Sequence, residues 1–232
     1  MSKPAAPSFI PVPTGSRRGL LRPLLTAGAL FLLGLAFAHL GQEVGGGGAY
    51  GFDQALLLRA QALRAAHPGL SEMMRDITAL GSTAVLVLIS CLTVVYLVLS
   101  GHRGRAGLLA LSAIGGTGLL YFFKSLFARA RPDAAFADAV VGGWSFPSGH
   151  TSMSAIVFLT LGSLLAAMRV RPRERIFILA TAVLLTLLVG ISRVMLGAHW
   201  ASDALGGWAF GAAWALLCLM LARLLQRWRL AE

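Results

Sequence analysis

The chain has 232 residues, of which 57% are hydrophobic and only 12% charged, and its mean hydropathy is +0.76. About a quarter of the residues in a soluble domain are charged, so the composition argues for an integral membrane protein. Twenty Lys and Arg against nine Asp and Glu give a net charge of +11; this would suggest nucleic acid on a soluble domain, but here the basic residues punctuate apolar runs and no nucleic-acid partner is expected.

Apolar windows of about 20 residues read as membrane spans at 23–40, 79–99, 106–123, 149–168, 174–191 and 203–222. Backbone groups in lipid must pair within a segment, and such windows lack the alternation of a membrane barrel. The expected fold is all-α, a polytopic bundle of six transmembrane helices forming one membrane domain over residues 23–232. Residues 1–22 are expected to form a disordered cytoplasmic N-terminus. Arg17, Arg18 and Arg22 precede a first span containing Ala36-Phe37-Ala38, which resembles a signal-peptide cleavage site; the length of the apolar stretch favours an uncleaved anchor.

Residues 41–78 form a long first outer connection. Gly45 to Gly48 are a flexible break, and Asp53 is placed to cap a helix over 54–66. Leu56, Ala60 and Leu63 share one face of that helix, which either lies in the membrane interface or packs as a connector. Cys91 and Cys218 lie in separate apolar runs and are read as packing residues, with no spacing that supports a disulfide or metal site.

Lys and Arg concentrate on the cytoplasmic side of a membrane protein. Thirteen fall on the side of both termini and seven on the other, so the termini are expected in the cytoplasm. The connections after spans three and five then share the outer side.

Polar residues kept at span ends are the default functional candidates. One cluster follows span three, Lys124 and then Arg131-Pro132; the second opens span four, Pro147-Ser148-Gly149-His150; the third joins spans five and six, Ser192-Arg193, His199 and Asp203. Lys124 and Arg131 would project from one face of a continuing helix. Asp203, one turn after His199, would accept the proton of one imidazole nitrogen and leave the other basic. Pro147 suits a first helical turn, and Ser148 and Gly149 would offer unpaired N–H groups at its positive end. Three cations and a helix N-terminus imply a phosphate. Arg129 is read as an interfacial anchor, and His39, His67 and His102 as structural.

At these residues the sequence resembles the type 2 phosphatidic acid phosphatase family of membrane lipid phosphatases, whose ordered three-part signature is complete over residues 124–203. The resemblance implies a phosphatase working through a phosphohistidine without metal or other cofactor. It makes His199 the nucleophile, Asp203 its orienting partner and His150 the acid for the leaving oxygen. Lys124, Arg131 and Arg193, with Ser148 and the Gly149 backbone, would hold the phosphoryl oxygens.

The implied partners are the bilayer and a lipid phosphate at the outer face of a bacterial inner membrane. Undecaprenyl diphosphate leads as substrate by a small margin over phosphatidylglycerol phosphate, with phosphatidic acid and lipid A phosphate as further candidates. A lipid phosphotransferase is an alternative within enzymes. A transporter or channel is the alternative from another class, suggested by Gly207 and Gly211 at helix-packing spacing. The sequence leaves the oligomeric state open.

Overall fold

The computed structural model describes residues 17–45, 51–138 and 142–229. Among these residues there are eight α-helices and no strand: α1 (Arg17–Gly45), α2 (Gly51–Ala66), α3 (Pro68–Ala79), α4 (Thr83–Leu99), α5 (Arg103–Phe127), α6 (Gly149–Ala167), α7 (Pro172–Met195) and α8 (Ala201–Arg229). Six helical stretches are long and apolar enough to cross a membrane. Large apolar side chains such as Phe31, Leu92, Leu111, Phe177 and Leu184 stay exposed on them, as lipid-facing positions require, and the chain is a multi-pass membrane protein.

α6 is the central helix. In its span 61% of the residues are buried, against 28% or less in the others, because α7 and α8 cover it on two sides. Small residues allow this closeness: a Cβ on Gly207 would stand 2.9 Å from that of Thr151, and one on Gly211 would stand 2.6 Å from that of Ala155. The two glycines that suggested a transporter are thus the α6–α8 contact. Val157 and Phe158 of α6 pack with Leu86, Ala182 and Val189, while Ile156 packs with Leu120 and Phe210.

The helix ends correct several expectations. α1 starts at Arg17, so residues 17–22 are helical, and residues 1–16 lie outside the described residues, as do 46–48 of the glycine break. Ala36-Phe37-Ala38 is inside α1, with Phe37 stacked on Phe146 at 5.6 Å and edge-on to Phe123 at 4.8 Å. Within the second apolar stretch, Pro68–Leu99, α4 starts at Thr83, where Ser82 accepts a bond from the Val85 N–H, and the preceding residues form the separate helix α3, begun by Pro68 in its first turn.

α2 buries Asp53, Leu57, Ala60 and Arg64, positions spaced by four, three and four. Leu56 and Leu63 are exposed, so the expected apolar face is turned by about one residue. The connector alternative describes the packed side of α2, whose Asp53 binds α8 rather than capping its own helix. Cys91 is exposed and Cys218 half-buried, and His39 and His67 are exposed.

Candidate active site

Lys124 is in the last turn of α5, Gly149 and His150 open α6, Arg193 is in the last turn of α7, and Asp203 is in the first turn of α8. All four helix ends lie at the same end of the bundle, where the connections 128–148 and 196–200 bring Arg131, Ser148 and His199 among them.

α5 does not continue to Arg131. Ala128 takes a left-handed conformation, φ 41°, and its N–H bonds the Lys124 carbonyl, a helix stop usually made by glycine. The chain therefore turns back, and Lys124 and Arg131 meet through a loop instead of along one helical face. Lys124 Nζ donates to the Trp144 carbonyl at 2.6 Å. Arg131 donates to the carbonyls of Gly143, Gly142 and Ala198 at 2.8 to 2.9 Å.

His199 is 2% exposed. Its Nε2 lies 3.0 Å from Arg131 Nη1 and its Nδ1 lies 3.3 Å from Asp203 Oδ2. A guanidinium only donates and a carboxylate only accepts, so Nδ1 carries the proton and Nε2 keeps its lone pair. Burial pushes the imidazole down to about 3, with Asp203 pulling the other way and Arg131 and Arg193 adding to the depression. The ring is therefore neutral at neutral pH.

Asp203 is the third residue of α8, and its Oδ2 accepts from the Trp200 N–H at 3.0 Å, the backward half of a capping box. The same oxygen accepts from the Ser145 hydroxyl, which lies 3.3 Å from His199 Nδ1. Oδ1 accepts from Arg129 Nη1 at 2.6 Å. The helix start and two side chains from the 128–148 connection thus fix the carboxylate.

Helix α6 begins at Gly149 with Ser148 as its N-cap, so Pro147 precedes the helix instead of occupying its first turn. The Ser148 N–H is not free, since it donates to the Asp203 carbonyl at 3.0 Å. The first intrahelical donors are those of Gly149 and His150, which α-helical geometry leaves without an i−4 acceptor. Ser148 is fully buried and its Oγ accepts from Thr151 at 2.9 Å. A Cβ on Gly149 would stand 3.7 Å from Lys124 Cε, so the lysine stem runs beside the start of α6.

Arg193 is 4% exposed; Nη1 bonds Thr78 at 3.3 Å, while Nε is buried without a partner. A buried guanidinium donor with no acceptor is costly, and an anionic ligand would remove that cost. Ser192 turns away and donates to the Val189 carbonyl.

Sequence reasoning missed Arg129, Asp53 and Ser145. Arg129 is not an interfacial anchor: its side chain is 6% exposed and pairs with Asp53 at 2.9 Å and Asp203 at 2.6 Å. Its one local signal was a second arginine two residues before Arg131. A groove of about 450 Å³ runs between α4, α5 and α6, lined by residues such as Leu86, Val94, Ala113 and Val157, and ends at Lys124, Gly149 and His150. Among the described residues no three His, Cys, Asp or Glu side chains are grouped to hold a metal.

A membrane-embedded helical bundle with a cationic pocket and a buried histidine–carboxylate pair defines the class. A sequence model of the PAP2 superfamily matches residues 105–227. Phosphatidylglycerophosphatase B of Bacillus subtilis is 33% identical over 168 residues, covering 68% of this chain and 77% of that protein. Lipid A 1-phosphatase of Rhizobium johnstonii is 37% identical over 141 residues, 53% of each chain. The crystal structure of a transmembrane PAP2-type phosphatidylglycerolphosphate phosphatase from Bacillus subtilis superposes with a TM-score of 0.76 at 26% identity, covering 84% of this chain and 96% of that one. The fold of Aquifex aeolicus LpxE is similar at a TM-score of 0.58 and 23% identity, covering 74% of this chain and 97% of that one. The chain belongs to the PAP2 superfamily, and it is a membrane lipid phosphatase of the PAP2 type.

Proposed function

We propose that the protein removes a terminal phosphate from a glycerophospholipid of the phosphatidylglycerophosphate kind, at the outer face of a bacterial inner membrane, without a metal and through a phosphohistidine on His199. The observation that carries this reading is the meeting of Lys124, Arg131 and Arg193 around one neutral, buried imidazole, next to the end of an apolar groove that Lys124, Gly149 and His150 line. The groove suits acyl chains entering from the bilayer while the phosphate reaches the cations. The similarity to a phosphatidylglycerophosphatase B over most of its length supports the choice of lipid.

In the first step Nε2 of His199 attacks phosphorus, the new P–N bond forming as the bond to the lipid oxygen breaks. His150 gives that oxygen its proton. Arg131, Arg193 and Lys124, with Ser148 and the first N–H groups of α6, hold the phosphoryl oxygens, the usual source of catalysis in phosphoryl transfer. Asp203 accepts the Nδ1 hydrogen bond and balances the charge on the phosphorylated ring. In the second step His150 takes a proton from the attacking water, the P–N bond breaks, and inorganic phosphate leaves. Three cations supply the charge neutralisation that other phosphatases take from a metal ion.

Purified protein is assayed for phosphate release from phosphatidylglycerophosphate, phosphatidic acid, lipid A and undecaprenyl diphosphate in EDTA. The highest kcat/KM is expected with phosphatidylglycerophosphate. Preference for lipid A or undecaprenyl diphosphate would reassign the substrate, and activity recovered only on adding Mg²⁺ would overturn the mechanism. Transfer of label to an added lipid alcohol instead of water would favour phosphotransfer. For the membrane face, Arg103→Cys and Asp138→Cys are made with both native cysteines replaced; an impermeant thiol reagent should label position 138 and not 103 in intact cells.

A further inference from the structure

Asp53, Arg129 and Asp203 form a buried charged cluster beside the pocket, with the guanidinium between the two carboxylates. Asp53 is 1% exposed, on a helix 150 residues away in sequence from Asp203. Its Oδ1 accepts the backbone N–H of Ser202 at 2.8 Å, and its Oδ2 accepts the Ser202 hydroxyl at 2.6 Å and Arg129 Nη2 at 2.9 Å. Arg129 Nη1 reaches both Ser202 Oγ at 2.7 Å and Asp203 Oδ1 at 2.6 Å, and the guanidinium lies 5.5 Å from the Trp200 ring centre. A carboxylate from the first outer helix thus caps α8 and, through one guanidinium, holds the carboxylate that orients His199.

We infer that Asp53 and Arg129 are positioning residues for the nucleophile: Arg129 fixes Asp203 so that Oδ2 faces His199 Nδ1, and Asp53 balances the guanidinium charge so that Asp203 keeps its full effect on the ring. The inference rests on the proposed roles of His199 and Asp203. Two alternatives make different demands. A merely structural ion pair would need no contact with Asp203, and a phosphate ligand would need its terminal nitrogens turned to the pocket, whereas Arg129 Nη1 is directed at Asp203 and Nη2 at Asp53.

Charge arithmetic gives the pair opposite signatures. The charged groups around His199 are Asp203 on α8, Arg131 and Arg129 from the connection after α5, Arg193 on α7, Lys124 on α5 and His150 on α6, with Asp53 behind Arg129 on α2. Removing the Arg129 charge leaves two carboxylates less compensated and favours the imidazolium; removing the Asp53 charge leaves Arg129 less compensated and disfavours it. Since only the neutral ring attacks, the acid limb of the first step should move up in Arg129→Gln and should not move up in Asp53→Asn. Asparagine keeps an oxygen for the Ser202 N–H, so the cap of α8 survives.

The test is the pH profile of phosphoenzyme formation in single turnovers, with dioctanoyl phosphatidic acid labelled in its phosphate as the probe, on protein that elutes as a single species in detergent. Both variants should lose about 10- to 100-fold in rate at saturating probe with KM little changed, the scale of a small displacement of a reacting group. The acid limb should rise by about one pH unit in Arg129→Gln, and Arg129→Lys should bring the limb back while recovering part of the rate. Ser202→Ala, which keeps every charge, should leave the limb in place.

An unmoved limb in Arg129→Gln, or the same upward move in Asp53→Asn, would overturn the inference by showing that both act through loosened packing. If one variant does not fold, the sign of the other decides. Failure of the wild-type protein to form a phosphohistidine would instead remove the proposed mechanism, so the two failures are distinct.

Discussion

Arg131 and His199 are held face to face: Nη1 of the arginine donates to Nε2 of the histidine at 3.0 Å, the atom whose lone pair must attack phosphorus in the proposed reaction. The same Nη1 is anchored on the Ala198 carbonyl at 2.8 Å, and Nε and Nη2 grip Gly143 and Gly142. The guanidinium therefore fixes the imidazole tautomer before substrate arrives, and a phosphoryl oxygen entering between them would accept the Nη1–H hydrogen bond and free the lone pair.

Arg131→Lys tests this dual task. Lysine keeps the charge but has no planar fork, so it cannot hold the 142–143 carbonyls and face Nε2 together. Phosphoenzyme formation should fall by about 10² or more in kcat/KM, the scale seen when one oriented donor to a reacting oxyanion is lost, with the protein folded. Wild-type kinetics in Arg131→Lys would show that charge alone is needed at this position.

His199 also ties stability to pH. In the unfolded chain an imidazole takes up a proton near its ordinary value of 6.5, whereas burial holds His199 down to about 3 in the fold. Between these values the unfolded chain binds more protons at this residue, so stability is lost as pH falls through the window and is unaffected by His199 above it. The melting temperature in detergent, followed from pH 7 to 4, should fall less steeply for His199→Asn than for the wild type. Parallel curves would mean that His199 is protonated as readily in the fold as outside it.

The legible part of this fold is its one-dimensional part. Spans show as apolar windows because lipid allows no other backbone solution, and the three clusters share a side because helices alternate direction. That Lys124, Arg131, His150, Arg193, His199 and Asp203 gather at one end of the bundle was therefore readable without any structure, while their roles stand as proposals. What escaped depends on contacts between distant segments. Asp53 and Arg129 are 76 positions apart, and either residue alone reads as a cap or an interfacial anchor. The end of α5 escaped because alanine, not glycine or proline, takes the left-handed turn at 128. α3 escaped because its apolar end runs into the second span, and only the Ser82 cap separates them.

In the proposed reading the groove between α4, α5 and α6 would give the lipid a path of its own, separable from chemistry. Ala113 lines it on α5, three turns below Lys124, too deep for a head group held by the cations. Ala113→Phe should raise KM for a long-chain phosphatidic acid at least about tenfold, since one buried aliphatic contact is worth a factor of that order, and should leave hydrolysis of a water-soluble aryl phosphate within about threefold of wild type. Equal losses on both substrates would place the fault in folding or in the pocket, and loss on neither would move the lipid path elsewhere.

His150 and His199 should separate by the step each serves. His150 is partly exposed at the start of α6, at the end of the groove beside Lys124 and Gly149, where a departing lipid oxygen would stand. His199 is buried against Asp203. His199→Ala removes the group that forms the covalent bond, so no acid-labile phosphoenzyme should appear with any substrate. His150→Ala leaves the nucleophile intact but leaves an alkoxide to depart without a proton, and general acid help is worth about 10² to 10⁴ in rate. An aryl phosphate departs as a stabilised phenolate and needs far less of that help. Trapping labelled phosphoenzyme before the steady state isolates this first step from hydrolysis, in which His150 is proposed to act again as base. The His150→Ala loss should then be much larger for an alkyl than for an aryl phosphate. Equal losses would take His150 out of the acid role, and a normal phosphoenzyme in His199→Ala would move the nucleophile to another residue.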